Sequence, residues 1–167
     1  MGDMFSLPLP DDSVDIVYTR QSIEPNGGHE VEILKELYRI TKEYLILIEP
    51  AYDLADEKAK KYMEHHGYVR NLYASAKELG FKIIEWDLYG ISENPLNPVG
   101  IMIIEKKGIS TNNFSWCCPL TKKIIRKIGN AYFSDDSLLA YPIINGVPLL
   151  LQDYAVVATK MNRIIDL

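Results

Sequence analysis

The sequence predicts an α/β fold: a mostly parallel sheet that ends in an antiparallel hairpin, followed by a small β-rich module. Strand and helix patterns alternate between residues 14 and 88, and the connection after them is too short for a helical crossover. An Asn-Gly pair between two apolar runs marks a hairpin near the C-terminus. The 167 residues, 47% hydrophobic and 25% charged, have the balance of one medium globular domain or two small ones.

The first strand and helix follow from their apolar patterns. Residues 2–13 are rich in Pro, Asp and Gly and predict a loop. Residues 14–18 (VDIVY) are short, apolar and β-branched, which is typical of a strand. A break at residues 25–28 (PNGG) precedes a helix over residues 31–41, where apolar side chains recur at helical spacing.

The remaining elements of this region continue the alternation. Residues 44–48 (YLILI) are apolar without alternation, as in a strand covered on both faces. Residues 55–66 and 68–79 predict two helices, and Gly80 marks the end of the second. Strands are predicted at residues 81–88 and 99–104. The ten residues between them show no helical pattern, so we expect the last strand to be antiparallel.

A change in composition divides the chain. We assign residues 1–107 to the α/β part, residues 108–115 to a polar linker, and residues 116–167 to the small β-rich module. In that module Asn145 and Gly146 lie between apolar runs at residues 138–144 and 147–151. Both residues of this pair tolerate the positive φ angles that a tight hairpin turn needs.

Charge and cysteine content exclude several classes of protein. The net charge of -5 and the pI of about 5.2 argue against direct nucleic-acid binding, which requires a basic face. No run approaches the ~20 apolar residues of a membrane-spanning helix, and the first ten residues lack the pattern of a signal peptide. The two adjacent cysteines offer no disulfide framework. We therefore expect a cytoplasmic protein without a membrane partner.

The order of motifs in the first 107 residues resembles the C-terminal half of a class I S-adenosylmethionine (SAM) dependent methyltransferase. Residues 2–4 (GDM), 7–13 (LPLPDDS) and 15–18 (DIVY) resemble the stretch that leads into the fourth strand of that family. The following helix, the strand that ends in Glu49-Pro50, and the closing pair of strands resemble its next elements. The resemblance implies a partial Rossmann-like methyltransferase sheet with a terminal antiparallel hairpin.

The resemblance also implies binding residues. It places Asp3 and Met4 beside the cofactor adenine, because a carboxylate can accept a hydrogen bond from the amino group and a methionine can pack on the ring. The residues just after the fourth strand, Thr19, Arg20 and Gln21, would lie at the carboxyl edge of the sheet, where open α/β sheets bind ligands.

Two further residues are candidates for the substrate pocket. Glu24 and Tyr52 follow strands and could line such a pocket, although a solvated role is the alternative for each. Methyl transfer from a sulfonium needs in-line placement more than acid–base groups, so we name no catalytic residue.

One departure from the family is decisive for cofactor binding. The Gly-rich turn after the family's first strand and the acidic residue that holds the ribose are absent from these residues. We therefore expect SAM to bind weakly or not at all to the isolated chain.

Residues 116–151 resemble, more distantly, the zinc-ribbon-like module of the tRNA-methyltransferase activator family. The resemblance lies in Cys118-Pro119, in residues 139–143 (LAYPI) and in residues 145–148 (NGVP). Modules of that family often hold zinc with four cysteines. Because this chain has only Cys117 and Cys118, which are adjacent, we expect no zinc.

Two functions stay open at this stage. One is a truncated or split SAM-dependent methyltransferase acting on an unknown acceptor, and the other is a non-catalytic module, derived from such an enzyme, that binds a partner. In either case the strand at residues 14–18 would be an unprotected sheet edge. We expect it to be covered by a second copy of the chain in a homodimer, by a partner chain, or by the arm at residues 1–10.

Overall fold

The computed structural model describes residues 2–90, 93–109 and 115–161. The chain forms two compact units. One unit, here the sheet unit, spans Val14–Ser110, and the other, the C-terminal unit, combines Met1–Ser13 with Thr111–Leu167. The first 13 residues, which the sequence grouped with the sheet, therefore belong to the compact unit formed by the end of the chain.

The sheet unit contains the predicted partial Rossmann-like sheet. Its strands are β1 (Val14–Arg20), β2 (Thr41–Pro50), β3 (Lys82–Leu88) and β4 (Val99–Glu105), and their order among the described residues is β1-β2-β4-β3. β1 and β2 are parallel, whereas β4 is antiparallel to both β2 and β3. The short connection before β4 thus reverses the chain direction, as predicted.

The helices lie where the apolar periodicity places them, with shorter ends. They are α1 (Glu30–Ile40), α2 (Glu57–His66) and α3 (Leu72–Glu78). α2 begins later than predicted because the side chain of Asp56 accepts a hydrogen bond from the Ala59 N–H at 2.8 Å and caps the helix. α3 begins four residues later than predicted. The Val69 N–H donates to the Glu24 carbonyl oxygen at 3.0 Å, outside any helical ladder.

One face of the sheet forms the core of this unit. Side chains from three strands are buried there: Val17, Leu45, Leu47, Met102 and Ile104. α1 contacts β1 and β2, α3 contacts β3, and the two helices contact each other. The ring of Tyr73 on α3 stacks on Trp86 of β3 at 5.7 Å between centroids. The helices therefore account for the burial of this face.

The opposite face is less covered than the sequence predicts. Ile16 and Tyr18 of β1 are 54% and 72% exposed. Their neighbour Ile46 on β2 is half-buried, although an apolar run without alternation suggests a strand covered on both faces. The apolar run 44–48 thus has Leu45 and Leu47 in the core, and Ile46 and Ile48 on a partly open face.

The C-terminal unit is a small antiparallel sheet. Its described strands are β5 (Arg126–Ile128), β6 (Ala131–Phe133), β7 (Leu139–Ile144), β8 (Val147–Pro148) and β9 (Val156–Val157), arranged as β5-β6-β7-β8 with β9 paired to β7. The Asn-Gly hairpin is confirmed, because Asn145 and Gly146 have φ angles of 50° and 80° between β7 and β8.

The start of the chain packs within this unit. The Cys117 N–H donates to the Pro8 carbonyl oxygen at 3.0 Å, and the Ser6 hydroxyl donates to the Pro119 carbonyl oxygen at 2.6 Å. The core of the unit consists of Cys118, Ile125, Tyr141 and Leu150, with Trp116 packed against it. Within the described residues, no helix is long and apolar enough to cross a membrane.

Candidate functional site

A cavity of about 210 Å³ lies at the carboxyl edge of the sheet unit. β1, β2 and β3 all end at this edge, because β4 is antiparallel to both β2 and β3. Residues that follow these strands, together with Tyr68 and the start of β4, form the wall. The lining residues are Arg20, Gln21, Glu24, Tyr68, Tyr89, Glu93, Asn94, Asn97 and Val99.

A buried carboxylate fixes the turn at the base of this cavity. Glu49, near the end of β2, is 2% exposed. Its Oε1 accepts a hydrogen bond from the Ser22 N–H at 3.1 Å, and its Oε2 accepts one from the Ile23 N–H at 3.2 Å. Gln21 adopts a φ of 50° and donates its N–H to the Ile48 carbonyl oxygen at 2.9 Å. The turn after β1 is therefore held in a conformation that a non-glycine residue rarely adopts.

Glu24 connects two walls of the cavity. Its Oε2 accepts a hydrogen bond from Gln21 Nε2 at 3.4 Å, and its Oε1 accepts one from Asn97 Nδ2 at 3.2 Å. Asn97 is buried and belongs to the connection between β3 and β4. The carboxylate of Glu24 thus ties the turn after β1 to the turn before β4.

Burial changes the protonation of both carboxyl groups. For Glu24, burial raises the pKa, and the hydrogen bonds from Gln21 and Asn97 offset only part of the rise. For Glu49, burial likewise raises the pKa, and the backbone N–H groups of the turn that donate to its carboxyl oxygens offset only part of the rise. Glu24 lines the cavity, so it can exchange a proton there at a higher pH than an ordinary glutamate.

Close backbone contact positions the wall that contains Tyr68. A Cβ atom on Gly27 would lie 2.6 Å from the carbonyl oxygen of Gly67, so only glycine fits at residue 27. Glu30, which is 5% exposed, accepts a hydrogen bond from the Arg70 N–H at 3.3 Å. Burial raises the pKa of Glu30, but its backbone hydrogen bonds outweigh burial and lower it. Both contacts hold the segment after α2 beside the start of α1.

The structure brings together three of the residues singled out from the sequence. Arg20, Gln21 and Glu24 line the same cavity. Thr19 is buried beneath them, 6% exposed, with its hydroxyl near Glu49. Tyr52 is not among the lining residues, and its hydroxyl donates to Glu64 Oε1 at 2.5 Å.

Asp3 and Met4 lie in the C-terminal unit. With Gly2, Ser6 and Tyr154 they line a cavity of about 530 Å³, whose other lining residues are Pro119, Leu151, Gln152 and Asp153. Asp3 Oδ1 accepts a hydrogen bond from the Phe5 N–H at 3.1 Å, so part of the carboxylate is engaged in a local turn. This volume lies within the usual range of about 300–1,000 Å³ for small-molecule sites.

The sequence reasoning missed the residues contributed by the β3–β4 connection. Tyr89, Glu93, Asn94 and Asn97 all come from this segment. A usable signal was present: β3 ends at the same edge as β1 and β2 once the last strand is antiparallel. A polar connection at that edge therefore has to lie beside the residues that follow β1.

Comparisons with known proteins support the fold. A search of protein-family models finds no match, and neither does a search of curated proteins. A SAM-dependent methyltransferase from Methanosarcina mazei has a TM-score of 0.50 at 16% identity, over 65% of this chain and 66% of that one. The 4+2 cyclase SpnF has a TM-score of 0.46 at 16% identity, and the match covers 64% of this chain and 54% of the cyclase chain.

A SAM-dependent methyltransferase from Aquifex aeolicus gives a TM-score of 0.40 at 16% identity, over 62% of this chain and 52% of that one. The chain thus spans less than two thirds of the length of these structures. The likeness to the Methanosarcina mazei structure, at 16% identity, shows the fold alone: the chain has a partial methyltransferase-like α/β architecture.

Proposed function

We propose that the sheet unit carries the methyl-acceptor side of a SAM-dependent methyltransferase site, and that the acceptor is an amine. The observation that carries the proposal is Glu24, a partly buried carboxyl group with a raised pKa in the cavity at the carboxyl edge of the sheet. Open α/β sheets bind ligands at this edge, and perturbed titratable groups in a cavity mark candidate sites.

The lining favours a small cationic group. Two acidic residues, Glu24 and Glu93, and two aromatic residues, Tyr68 and Tyr89, contribute to the wall. They outnumber the one cationic residue in the described lining, Arg20, which the proposal pairs with the SAM carboxylate. Carboxylates and aromatic faces both attract an ammonium ion. The cavity, at about 210 Å³, is smaller than the usual drug-sized site of about 300 Å³ or more, which suits one amino group on a short chain.

Glu24 has a defined role in this proposal. An ammonium acceptor must lose a proton before its nitrogen lone pair can attack a methyl group. Glu24 Oε2 or Oε1 accepts that proton, and the hydrogen bonds from Gln21 and Asn97 keep the carboxylate aimed into the cavity. SAM, when bound, would supply the methyl group on a sulfonium, and the guanidinium of Arg20, which lines the same cavity, would pair with its carboxylate.

Asp3 and Met4, which the resemblance places beside the adenine, line the cavity of the C-terminal unit, so we assign them no contact in this site. The remaining cofactor contacts would come from protein outside these 167 residues. The Gly-rich turn that cradles the cofactor in the family has no counterpart in the sequence. The proposal therefore requires an assembly, and it expects the isolated chain to hold the acceptor better than it holds SAM.

Binding of the acceptor is tested by NMR on the isolated chain. The side-chain amide signals of Gln21 and Asn97 should shift on titration with ethylammonium and stay in place with ethanol or acetate. Glu24→Gln should weaken the ethylammonium response at least about fivefold, a change of roughly 1 kcal/mol. The exposed Glu64→Gln is the matched control and should leave the response unchanged. Equal responses to ethylammonium and acetate would contradict an amine site.

Methyl transfer is tested in an extract of the organism that makes the protein. Wild-type chain or the Glu24→Gln variant is added with isotopically labelled SAM, and labelled amines are identified by mass spectrometry. Label that depends on the wild-type chain supports the enzyme. Equal labelling with both proteins leaves amine binding as the function and rejects Glu24 as the base.

A second candidate, a non-catalytic module that binds a second copy, is favoured by the exposed strand β1. Antiparallel pairing of two β1 strands about Val17 would place Ile16 opposite Tyr18 of the copy and bury both exposed side chains. Among the described residues β1 pairs only with β2, so its outer edge is open to such a partner.

Light scattering tests the dimer directly. The wild-type chain should be dimeric at micromolar concentration. Tyr18→Lys should be monomeric, because a lysine would then lie opposite Ile16 of each copy in place of the tyrosine. Tyr154→Lys, at an exposed tyrosine of the C-terminal unit, is the control and should remain dimeric. A monomeric wild-type chain with rapid exchange of the β1 amides would reject this candidate.

A further inference from the structure

Two turns in the C-terminal unit repeat the same hydrogen-bond pattern. In the first, the Lys122 N–H donates to the Cys118 carbonyl oxygen at 2.8 Å, and the Cys118 N–H donates to the Lys123 carbonyl oxygen at 2.8 Å. In the second, the Leu138 N–H donates to the Ser134 carbonyl oxygen at 2.9 Å, and the Ser134 N–H donates to the Leu139 carbonyl oxygen at 2.9 Å. The two turns are therefore built alike, residue for residue.

The side chains repeat the pattern as well. The Thr121 N–H donates to Cys118 Sγ at 3.5 Å, three residues back in the first turn. The Ser137 N–H donates to Ser134 Oγ at 3.3 Å, three residues back in the second. The next residue of each turn, Lys122 or Leu138, has a positive φ, of 61° and 56° respectively. A bulky non-glycine residue in this conformation is uncommon, and finding it twice at equivalent positions indicates one shared architecture.

The two turns meet at one sulfur atom. Cys118 Sγ lies 3.6 Å from Ser137 Oγ of the second turn and 3.2 Å from the hydroxyl oxygen of Tyr141. Cys118 and Tyr141 are both fully buried in the core of the unit. Burial opposes ionisation of this thiol, but hydrogen bonds from Thr121, Tyr141 and Ser137 outweigh it and lower the pKa of Cys118 to about 6.

This arrangement has the spacing of a structural metal site and the wrong side chains for one. Paired cysteine ligands in structural zinc sites are separated by two to four intervening residues, and histidine is the other common ligand. Here the equivalent positions, 118, 121, 134 and 137, hold one thiol and three hydroxyl groups. Among the described residues no group of three or more His, Cys, Asp and Glu side chains could hold a metal ion. The residues present do not fit zinc.

We propose that these two turns are the frame of a metal site in which hydrogen bonds to the Cys118 sulfur replace the metal. The frame consists of Cys118, Thr121, Ser134 and Ser137. Tyr141 completes it, because its hydroxyl fills space beside the sulfur and bonds to it. Cys118 is thus a positioning residue that joins the two turns in the core of the unit, whereas Lys123 Nζ and Asp136 Oδ1, 2.9 Å apart, join them at the surface.

The frame is tested by restoring metal ligands. The variant Thr121→Cys/Ser134→Cys/Ser137→Cys should bind one Co²⁺ per chain, with the visible absorption bands of tetrahedral thiolate coordination, and added Zn²⁺ should displace it. The control moves one ligand by a single residue, with Asp136→Cys in place of Ser137→Cys. It should bind Co²⁺ at least about 100-fold more weakly, because the fourth thiol then points away from the site.

Each outcome for the restored variant decides the question. If it folds only when Co²⁺ is present, the frame is supported, because metal then replaces the lost hydrogen bonds. If it gives no tetrahedral bands, folded or not, or if the control binds equally well, the frame is rejected.

The wild-type network is tested by removing the sulfur. Cys117 and Cys118 are both fully buried, so Cys117→Ala is a matched control for Cys118→Ala. Followed by Trp116 fluorescence in a Trp86→Phe background, the unfolding temperature of Cys118→Ala should fall by about 5 °C more than that of Cys117→Ala, because two turns lose their shared acceptor. EDTA should leave the wild-type unfolding temperature unchanged. Equal effects of the two alanine variants, or a loss of stability with EDTA, would overturn the proposal.

Discussion

Glu49 is the side chain whose removal tests the architecture of the sheet edge most directly. In Glu49→Ala the N–H groups of Ser22 and Ile23 lose their acceptor. Ser22 is exposed, so water can replace the carboxylate there, whereas Ile23 is fully buried and its N–H stays unsatisfied. One buried donor left without a partner costs about 1–3 kcal/mol, so we expect a loss of about 2 kcal/mol in the free energy of unfolding.

The conservative change separates shape from charge. Glu49→Gln keeps the volume and one acceptor oxygen, which can serve the buried Ile23 N–H. Its amide NH₂ then faces the Ser22 N–H, which can turn to water. We therefore expect Glu49→Gln to lose about 1 kcal/mol, clearly less than Glu49→Ala. Glu43→Ala, at an exposed position on the same strand, should stay within about 0.5 kcal/mol of wild type.

Urea unfolding is followed by tryptophan fluorescence, because each of the two units contains one tryptophan. Trp86 lies on β3 of the sheet unit and Trp116 lies in the C-terminal unit, so a Trp116→Phe background makes fluorescence report on the sheet unit alone. With a urea m-value of about 1 kcal/mol/M, the midpoint of Glu49→Ala should fall by about 2 M. The reasoning is refuted if Glu49→Ala is as stable as Glu43→Ala, or if Glu49→Gln is the less stable of the two Glu49 variants.

Three further outcomes follow from the same contacts. The pKa values of Glu24 and Glu49 are raised above 4.5 in the folded state. Their contribution to stability is therefore present below pH 4.5 and lost as the pH rises through the folded pKa values. Between about pH 4 and 7, the urea midpoint of the double variant Glu24→Gln/Glu49→Gln should fall less steeply with pH than that of the wild type. Gly27→Ala should cost about 1–3 kcal/mol, because the new Cβ would lie 2.6 Å from the Gly67 oxygen, and an unchanged urea midpoint would contradict this. SAM should bind the isolated chain weakly or not at all, and calorimetry that finds a Kd near 1 µM, about -8 kcal/mol, would reject that expectation.

The fold was predictable from the sequence because its signals are local. Apolar runs and their periodicity located β1, β2 and α1 to within a few residues, and the length of the connection before β4 fixed its direction. The Asn145-Gly146 hairpin was predictable because both residue types tolerate the positive φ angles that a tight turn needs. The start of α3 was misplaced because a single long-range contact, from the Val69 N–H to the Glu24 oxygen, keeps residue 69 out of the helix.

The site was predictable only in part, because its geometry depends on contacts between distant segments. The carboxyl edge and Arg20, Gln21 and Glu24 follow from strand order. The hydrogen bond from Asn97 to Glu24 joins residues 73 positions apart, so no local sequence pattern predicts it. The repeated turns around Cys118 were equally hidden, because serine and threonine at the equivalent positions look like ordinary turn residues.

Both units contain buried polar groups and left-handed residues that cost stability, but these features lie in different surroundings in the two units. At the edge of the sheet unit, the buried carboxyl group of Glu49, the left-handed Gln21 and the close contact at Gly27 all lie in or beside the segment after β1, next to an open cavity. Features that cost stability persist where the surrounding structure requires them, and they cluster at functional sites. In the C-terminal unit the left-handed Lys122 and Leu138 instead surround a closed, fully buried sulfur. The strain at the sheet edge is therefore what the proposed ligand site requires, whereas the strain around Cys118 is what the proposed hydrogen-bonded frame requires.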